Sequence, residues 1–118
     1  MEIDQYITIL RIISDESRFK IINMLLNQDL CVGGLARQLD ISKPAVSQHL
    51  QVLRKLGIVT GEKRGYYTHY VVNRGLLKQI GEKTIEIASM TPLGKAGCHR
   101  DQTGECQCCN LKIDQSCF

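Results

Sequence analysis

Apolar residues recur at helical spacing from the start of the chain. Ile3, Tyr6, Ile7, Leu10 and Ile13 predict a short amphipathic helix ending near Ser14. Ser14 and Asp15 are good N-cap residues for a second helix, whose apolar stripe of Phe19, Ile22, Leu25 and Leu26 is expected in the core. After "NQDL", residues Val32, Leu35, Ala36 and Leu39 predict a short third helix. Gly33 and Gly34 weaken its first turn, by about 1 kcal/mol each relative to alanine.

The stretch "ISKPAVSQHLQVLRKLGIV", residues 41–59, carries the strongest pattern. Ser42 can cap a fourth helix, and Pro44 fits its first turn, where a backbone N–H is not needed. Val46, Leu50 and Leu53 form one face and Leu56 closes it. Gly57 is expected to end the helix, in a position that tolerates a left-handed backbone. The opposite face holds Lys43, Ser47, Gln48, Gln51, Arg54 and Lys55, with no acid among them.

From Ile58 the period changes to two. "IVTGEKR" and "YYTHYVV" flank Arg64-Gly65, predicting an antiparallel hairpin with Lys63 and Arg64 at its tip. A last helix follows from about Gly75 to Ser89, with Leu77, Ile80, Thr84, Ile87 and Ala88 on one side, until Pro92 stops it. Beyond lie glycines, charges and cysteines with hardly any apolar periodicity. The expected organisation is a folded domain over residues 1–91 and a cysteine-rich tail over 92–118.

At 118 residues and 43% hydrophobic content, the chain suffices for one core. Acids near the N-terminus do not suit a secretory signal, and no apolar run approaches the roughly 18 residues of a membrane span. The expected location is therefore the cytoplasm, where clustered thiols point to metal or redox chemistry rather than structural disulfides. The net charge of +3 is unevenly placed. Residues 1–30 carry three Lys/Arg and five Asp/Glu, residues 31–75 seven and two, and residues 76–118 five and five. A positive segment in the middle of a chain is an electrostatic footprint for a polyanion, although a solvated lysine-rich face gives the same count.

Two short helices joined by a tight turn, the second with an acid-free polar face and a basic hairpin behind it, make a winged helix-turn-helix. The predicted fold is mainly α with a β-hairpin wing, in the order α-α-α-α-β-β-α. In this motif the second helix enters the major groove of double-stranded DNA and the hairpin lies against the backbone. Gln48 and Gln51 pair donors with acceptors and suit base edges. Ser42, Lys43, Ser47 and Arg54 can reach phosphates or guanines, and Ala45 sits on the same first turn. Lys63, Arg64 and Tyr66 are the expected wing contacts. His49, at the edge of the core face, reads as a packing or hydrogen-bonding member of the reading head rather than a metal ligand. His69 reads as an exposed strand residue without a role.

"SDESRFKIINMLL", "DLCVGGLARQLDISKPAVSQHLQVLRKLGIV" and "GEKRGYYTHYVV" closely resemble the ArsR/SmtB family of metal(loid)-responsive repressors. The resemblance runs from about Ile7 to Ser89 and does not cover the tail. It implies a homodimer held by the first and last helices, binding an inverted-repeat operator and released by an inducer. It also implies places where the inducer binds. A site in the third helix resembles "CVC", but here the box reads Cys31-Val32-Gly33, and Cys31 alone is equally well a small packing residue. A site in the last helix uses Asp and His on one chain with His and Glu on the other. Between Gly75 and Thr91 this chain offers only Glu82 and Glu86, which argues against a zinc or nickel sensor of that kind.

The tail supplies the remaining chemistry. "CHRDQTGECQCC", residues 98–109, places Cys106, Cys108 and Cys109 together, with Cys98 close enough to join them. His99, Cys117 and Cys31 are further candidate ligands. Three or four thiolates favour thiophilic ions. Trivalent arsenic or antimony would take three sulfurs; cadmium, lead or zinc could take a fourth ligand. The expected function is a repressor released when such an ion binds the tail. The alternatives are oxidant or reactive-sulfur sensing by the same thiols, an iron–sulfur cluster, or a metal-buffering protein with an incidental basic helix. The chain has no cysteine paired with a base in its folded part, no phosphate-cradling glycine loop and no carboxylate pair suited to a cleft, which argues against an enzyme.

Overall fold

The computed structural model describes residues 1–91. Five helices and one hairpin follow in the expected order: α1 (Ile3–Ile13), α2 (Glu16–Asn27), α3 (Val32–Leu39), α4 (Lys43–Lys55), β1 (Val59–Arg64), β2 (Tyr67–Val72) and α5 (Arg74–Ala88). None of the described helices is long and apolar enough to cross a membrane. The tail thiols Cys98, Cys106, Cys108, Cys109 and Cys117, with His99, lie outside the described residues.

Local chemistry sets most boundaries. Asp15 caps α2, its Oδ2 accepting the Arg18 N–H at 3.1 Å. That backbone donor, ahead of the nearby charges, holds the Asp15 carboxyl below its ordinary pKa. Arg74 donates from Nη2 to the Leu26 carbonyl at 3.0 Å, satisfying one of the acceptors that the end of α2 leaves open. Between α3 and α4 the chain turns through Asp40, whose φ of 55° is left-handed; a short polar side chain tolerates this conformation. Gly57, at φ 73°, ends α4, with Ile58 N–H donating to the Leu53 carbonyl at 3.0 Å. Asn73 begins α5 by accepting the Leu76 N–H on its Oδ1 at 3.1 Å.

The core gathers Tyr6 and Ile9 of α1, Ile21, Ile22 and Leu25 of α2, Leu35 and Ala36 of α3, Val46, Leu50 and Leu53 of α4, Ile58, Val59 and Val72 at the wing base, and Ile80 of α5. One expected core residue is misplaced: Phe19 is 54% exposed. The buried arc of α2 centres on Ile21, Ile22 and Leu25, and half-buried Leu26 already marks its edge, so Phe19 falls outside it. On α1, Ile3, Ile7 and Leu10 face away from the core and remain exposed. Thr84 Oγ1 donates to the Ile80 carbonyl at 2.8 Å, so the Tyr6 hydroxyl donates to Thr84 Oγ1 at 2.6 Å, joining α1 to α5.

The hairpin runs in register from Val59↔Val72 at its base to Arg64↔Tyr67. Its two-residue loop is Gly65-Tyr66, not Arg64-Gly65; Lys63 and Arg64 are the last residues of β1 rather than the tip. Gly65 has φ 64° while Tyr66 has no positive φ, the combination that type II′ hairpin loops use. The chain divides into two units, Met1–Ile85 and Glu86–Phe118. In the second, the described residues complete α5 and close with Ser89 N–H on the Glu86 carbonyl and Met90 N–H on the Ile87 carbonyl, both at 3.2 Å.

Candidate nucleic-acid interface

The surface offered to a polyanion starts with α4. Val46, Leu50 and Leu53 are buried, which turns Lys43, Ser47, Gln48, Gln51, Arg54 and Lys55 outward, all exposed. Residues three and four apart share a helix face, so Lys43, Ser47, Gln51 and Arg54 form one row. No Asp or Glu interrupts the chain from Ile41 to Gly61. At the head of the row, Ser42 Oγ accepts the Ala45 N–H at 3.2 Å, leaving the hydroxyl hydrogen available to an acceptor outside the protein. Ala45 itself is half-buried.

His49 is also half-buried. Arg18 Nη1 stands 3.5 Å from its Nδ1, at the long limit of a hydrogen bond, while Arg18 Nε donates to the Ile12 carbonyl at 2.6 Å. Because a guanidinium only donates, His49 Nδ1 is the acceptor and the ring N–H falls on Nε2 by assignment. His49 therefore links α4 to the corner between α1 and α2 as well as lying beside the reading face.

Wing residues Lys63, Arg64 and Tyr66 are exposed, and Tyr66 stands fully in solvent. Arg64 is not a free cation. Its Nη1 donates to Asp29 Oδ2 and its Nη2 to Glu62 Oε2, the latter at 2.9 Å. Glu62 first, and then Asp29, raise its pKa further above the ordinary arginine value. Asp29 accepts a second bond on Oδ1, from His69 Nδ1 at 2.9 Å. That bond, ahead of Arg64, holds the Asp29 carboxyl below its usual range. His69 is accordingly not the exposed strand residue expected: only 23% of its side chain is accessible, and it points back to the α2–α3 connection.

Cys31 is a half-buried free thiol at the N-cap of α3, without a side-chain capping bond, and its backbone forms an isolated antiparallel bridge to His69. A Cβ added at Gly33 would lie 3.9 Å from Cys31 Sγ and 3.7 Å from Lys43 Cε. Among the described residues, no three His, Cys, Asp or Glu side chains come together as a metal site. Sequence patterns missed Arg18, Asp29 and the role of His69. Their partners lie 31 to 40 residues away in the chain, beyond the reach of any local periodicity.

Comparison with known proteins agrees with this geometry. The family described as bacterial regulatory protein, arsR family, matches residues 15–60. The arsenical resistance operon repressor of Staphylococcus xylosus is 32% identical, over 84% of this chain and 93% of that protein. The cadmium resistance transcriptional regulatory protein CadC of Listeria innocua is 36% identical over 71% of this chain, which spans 63% of that relative. Reduced HlyU from Vibrio cholerae superposes with a TM-score of 0.61 at 30% identity, covering 74% of this chain and 92% of that one. These relatives are regulators rather than enzymes. With an exposed, acid-free helix beside a hairpin wing, this chain belongs to the arsR family of bacterial transcriptional regulators.

Proposed function

We propose that the chain is a homodimeric repressor that grips an inverted-repeat operator with α4 and releases it when a thiophilic metal(loid), trivalent arsenic or antimony foremost, binds Cys106, Cys108, Cys109 and Cys98. The observation that carries the DNA-binding part is the row Lys43, Ser47, Gln51 and Arg54, exposed on a helix whose other side is locked into the core. Ser42, Ala45, Gln48 and His49 complete the reading head, and Lys63 and Tyr66 supply the wing. Gln48 and Gln51 read base edges while the cations and Ser42 hold phosphates. Exposed Ile3, Ile7 and Leu10 on α1 give the dimer an apolar face of the kind that needs covering.

The inducer assignment is supported by five of the six cysteines lying at or after Cys98 and by relatives named for arsenical and cadmium resistance. Cys31, with glycine at 33, supplies one thiol and not a pair. A coupling of about 1 to 3 kcal/mol between the thiols and the reading heads would loosen DNA binding by about 5- to 150-fold. The test is to titrate the reduced protein on its own upstream DNA with arsenite, antimonite, cadmium, lead, zinc and copper(I). Cys106, Cys108 and Cys109 are then replaced together by serine. The triple variant should keep its DNA affinity and lose the response; release by arsenite or cadmium despite the substitutions would place the site elsewhere.

A second reading keeps the repressor and makes the thiols an oxidant sensor, favoured by the likeness to a regulator described in a reduced form. Release by peroxide or persulfide in metal-free protein, with an intrachain bond formed, would select it.

A further inference from the structure

We propose that Asp29 is a positioning residue of the DNA-binding surface. Its carboxylate holds both strands of the wing to the helix-turn-helix, so that Lys63 and the Gly65–Tyr66 loop, rather than Arg64, meet the DNA backbone. The inference rests on the reading that α4 and the wing bind DNA.

A two-stranded hairpin has little stability of its own, and its direction is set by what it is fastened to. This one is fastened at its base, where Val59 and Val72 pair and are buried. Above the base, every residue from Thr60 to Tyr67 is exposed, so side-chain packing on β1 does not fix the outer half. Asp29 does. It belongs to the connection between α2 and α3, and it reaches two heights on the hairpin. Oδ1 takes His69, paired with Glu62 midway along, and Oδ2 takes Arg64, in the last pair before the loop. The backbone bridge from Cys31 to His69, two residues from Asp29, fastens the same spot.

The contact also removes Arg64 from the pool of phosphate ligands. Two carboxylates each take an N–H from one of its terminal nitrogens and offset its charge, so a phosphate approaching Arg64 competes with both. Lys63, one residue before, has Thr68 rather than an acid as its register partner. Exposed ion pairs add little to stability, so the convergence of two partners, one from each strand, on one carboxylate is better explained by geometry that function requires.

The experiment uses the full chain and a duplex carrying its own upstream DNA, with affinity measured over a range of salt. Lys63→Gln should make the log–log salt slope shallower by about 0.9, the signature of one lost phosphate contact. Asp29→Asn and Arg64→Gln should each weaken binding several-fold by the same factor with the slope unchanged, and the double variant should be no weaker than either single one. Asp29→Glu should restore part of the loss. Independently of DNA, the ring nitrogens of His69, followed by nuclear magnetic resonance, should shift in Asp29→Asn and not in Lys63→Gln. A slope reduced by Arg64→Gln would make Arg64 a phosphate ligand and overturn the assignment. Tighter binding by Asp29→Asn would make Asp29 a mask over Arg64, and an unmoved His69 resonance would remove the latch altogether. Failure of the wild type to bind the duplex, with the His69 shift present, would instead count against the DNA-binding reading.

Discussion

Ser42 stands where folding and DNA recognition overlap, and two substitutions separate them. Ser42→Ala removes the oxygen that accepts the Ala45 N–H at 3.2 Å, leaving the first turn of α4 uncapped. Such a loss costs about 1 kcal/mol, which in a domain of this size lowers Tm by roughly 4 to 8 °C. Ser42→Asp keeps the cap. A carboxylate there also favours the positive end of the helix by about 0.3 to 1 kcal/mol, and the first turn of α4 contains no acid to oppose it. Tm should therefore stay level or rise. The same carboxylate sits beside Lys43 at the head of the reading row, within a Debye length of about 8 Å of any phosphate gripped there. It should cancel one cation and make the salt slope of DNA binding shallower by about 0.9. Thermal melts by circular dichroism and anisotropy titrations at several salt concentrations read the two effects apart. If Ser42→Asp melts as low as Ser42→Ala, the cap is not what stabilises α4. If it binds DNA with an unaltered slope, the N-terminus of α4 does not face phosphates.

Further substitutions follow from the same structure. Leu50→Ala, at a side chain 1% exposed, should cost about 2 to 5 kcal/mol in denaturant unfolding, whereas its neighbour Gln51→Ala should leave unfolding nearly unchanged and blunt the preference for the operator over random DNA. Asp15 and Asp29 both have carboxyl pKa values below their unfolded ones, Asp15 through the Arg18 N–H and Asp29 through His69. Their stabilisation is thus complete above the unfolded value of about 3.9 and drains away as pH falls through the folded values. Urea midpoints followed from pH 6 to pH 2 should drop below about pH 4, and less so in Asp15→Asn and Asp29→Asn. Gly33→Cys should fit without clash, since its Cβ would meet Lys43 and Cys31 Sγ at 3.7 to 3.9 Å. In a background whose tail cysteines are serine, it should raise cadmium affinity, measured by thiolate absorbance; an unchanged titration would show that Cys31 faces away from the new thiol.

Much of this architecture is legible in the sequence because it is written locally. The caps at Asp15 and Ser42, the stop at Gly57 and the apolar spacing of α4 each depend on residues within a few positions of one another. The reading face follows from the same spacing, as the side that Val46, Leu50 and Leu53 leave outside. Phe19 shows where periodicity fails. An apolar residue extends a stripe on paper whether or not another element arrives to cover it, and here none of the described ones does. The wing shows a second limit. Lys63 and Arg64 are adjacent, basic and exposed, yet one of them is held by an acid 35 residues upstream, a pairing that only the folded chain brings about. His69 is linked to the same acid across 40 residues, and Tyr6 to Thr84 across 78.

Among the described residues, no charged side chain or hydrophilic residue is buried in the core. That described interior is hydrocarbon and one tyrosine ring, so exchanging one of its side chains alters packing and stability without adding or removing a charge. On the proposed function, in which the inducer meets thiols of the tail, this packed centre can be redesigned for thermal endurance without deafening the protein.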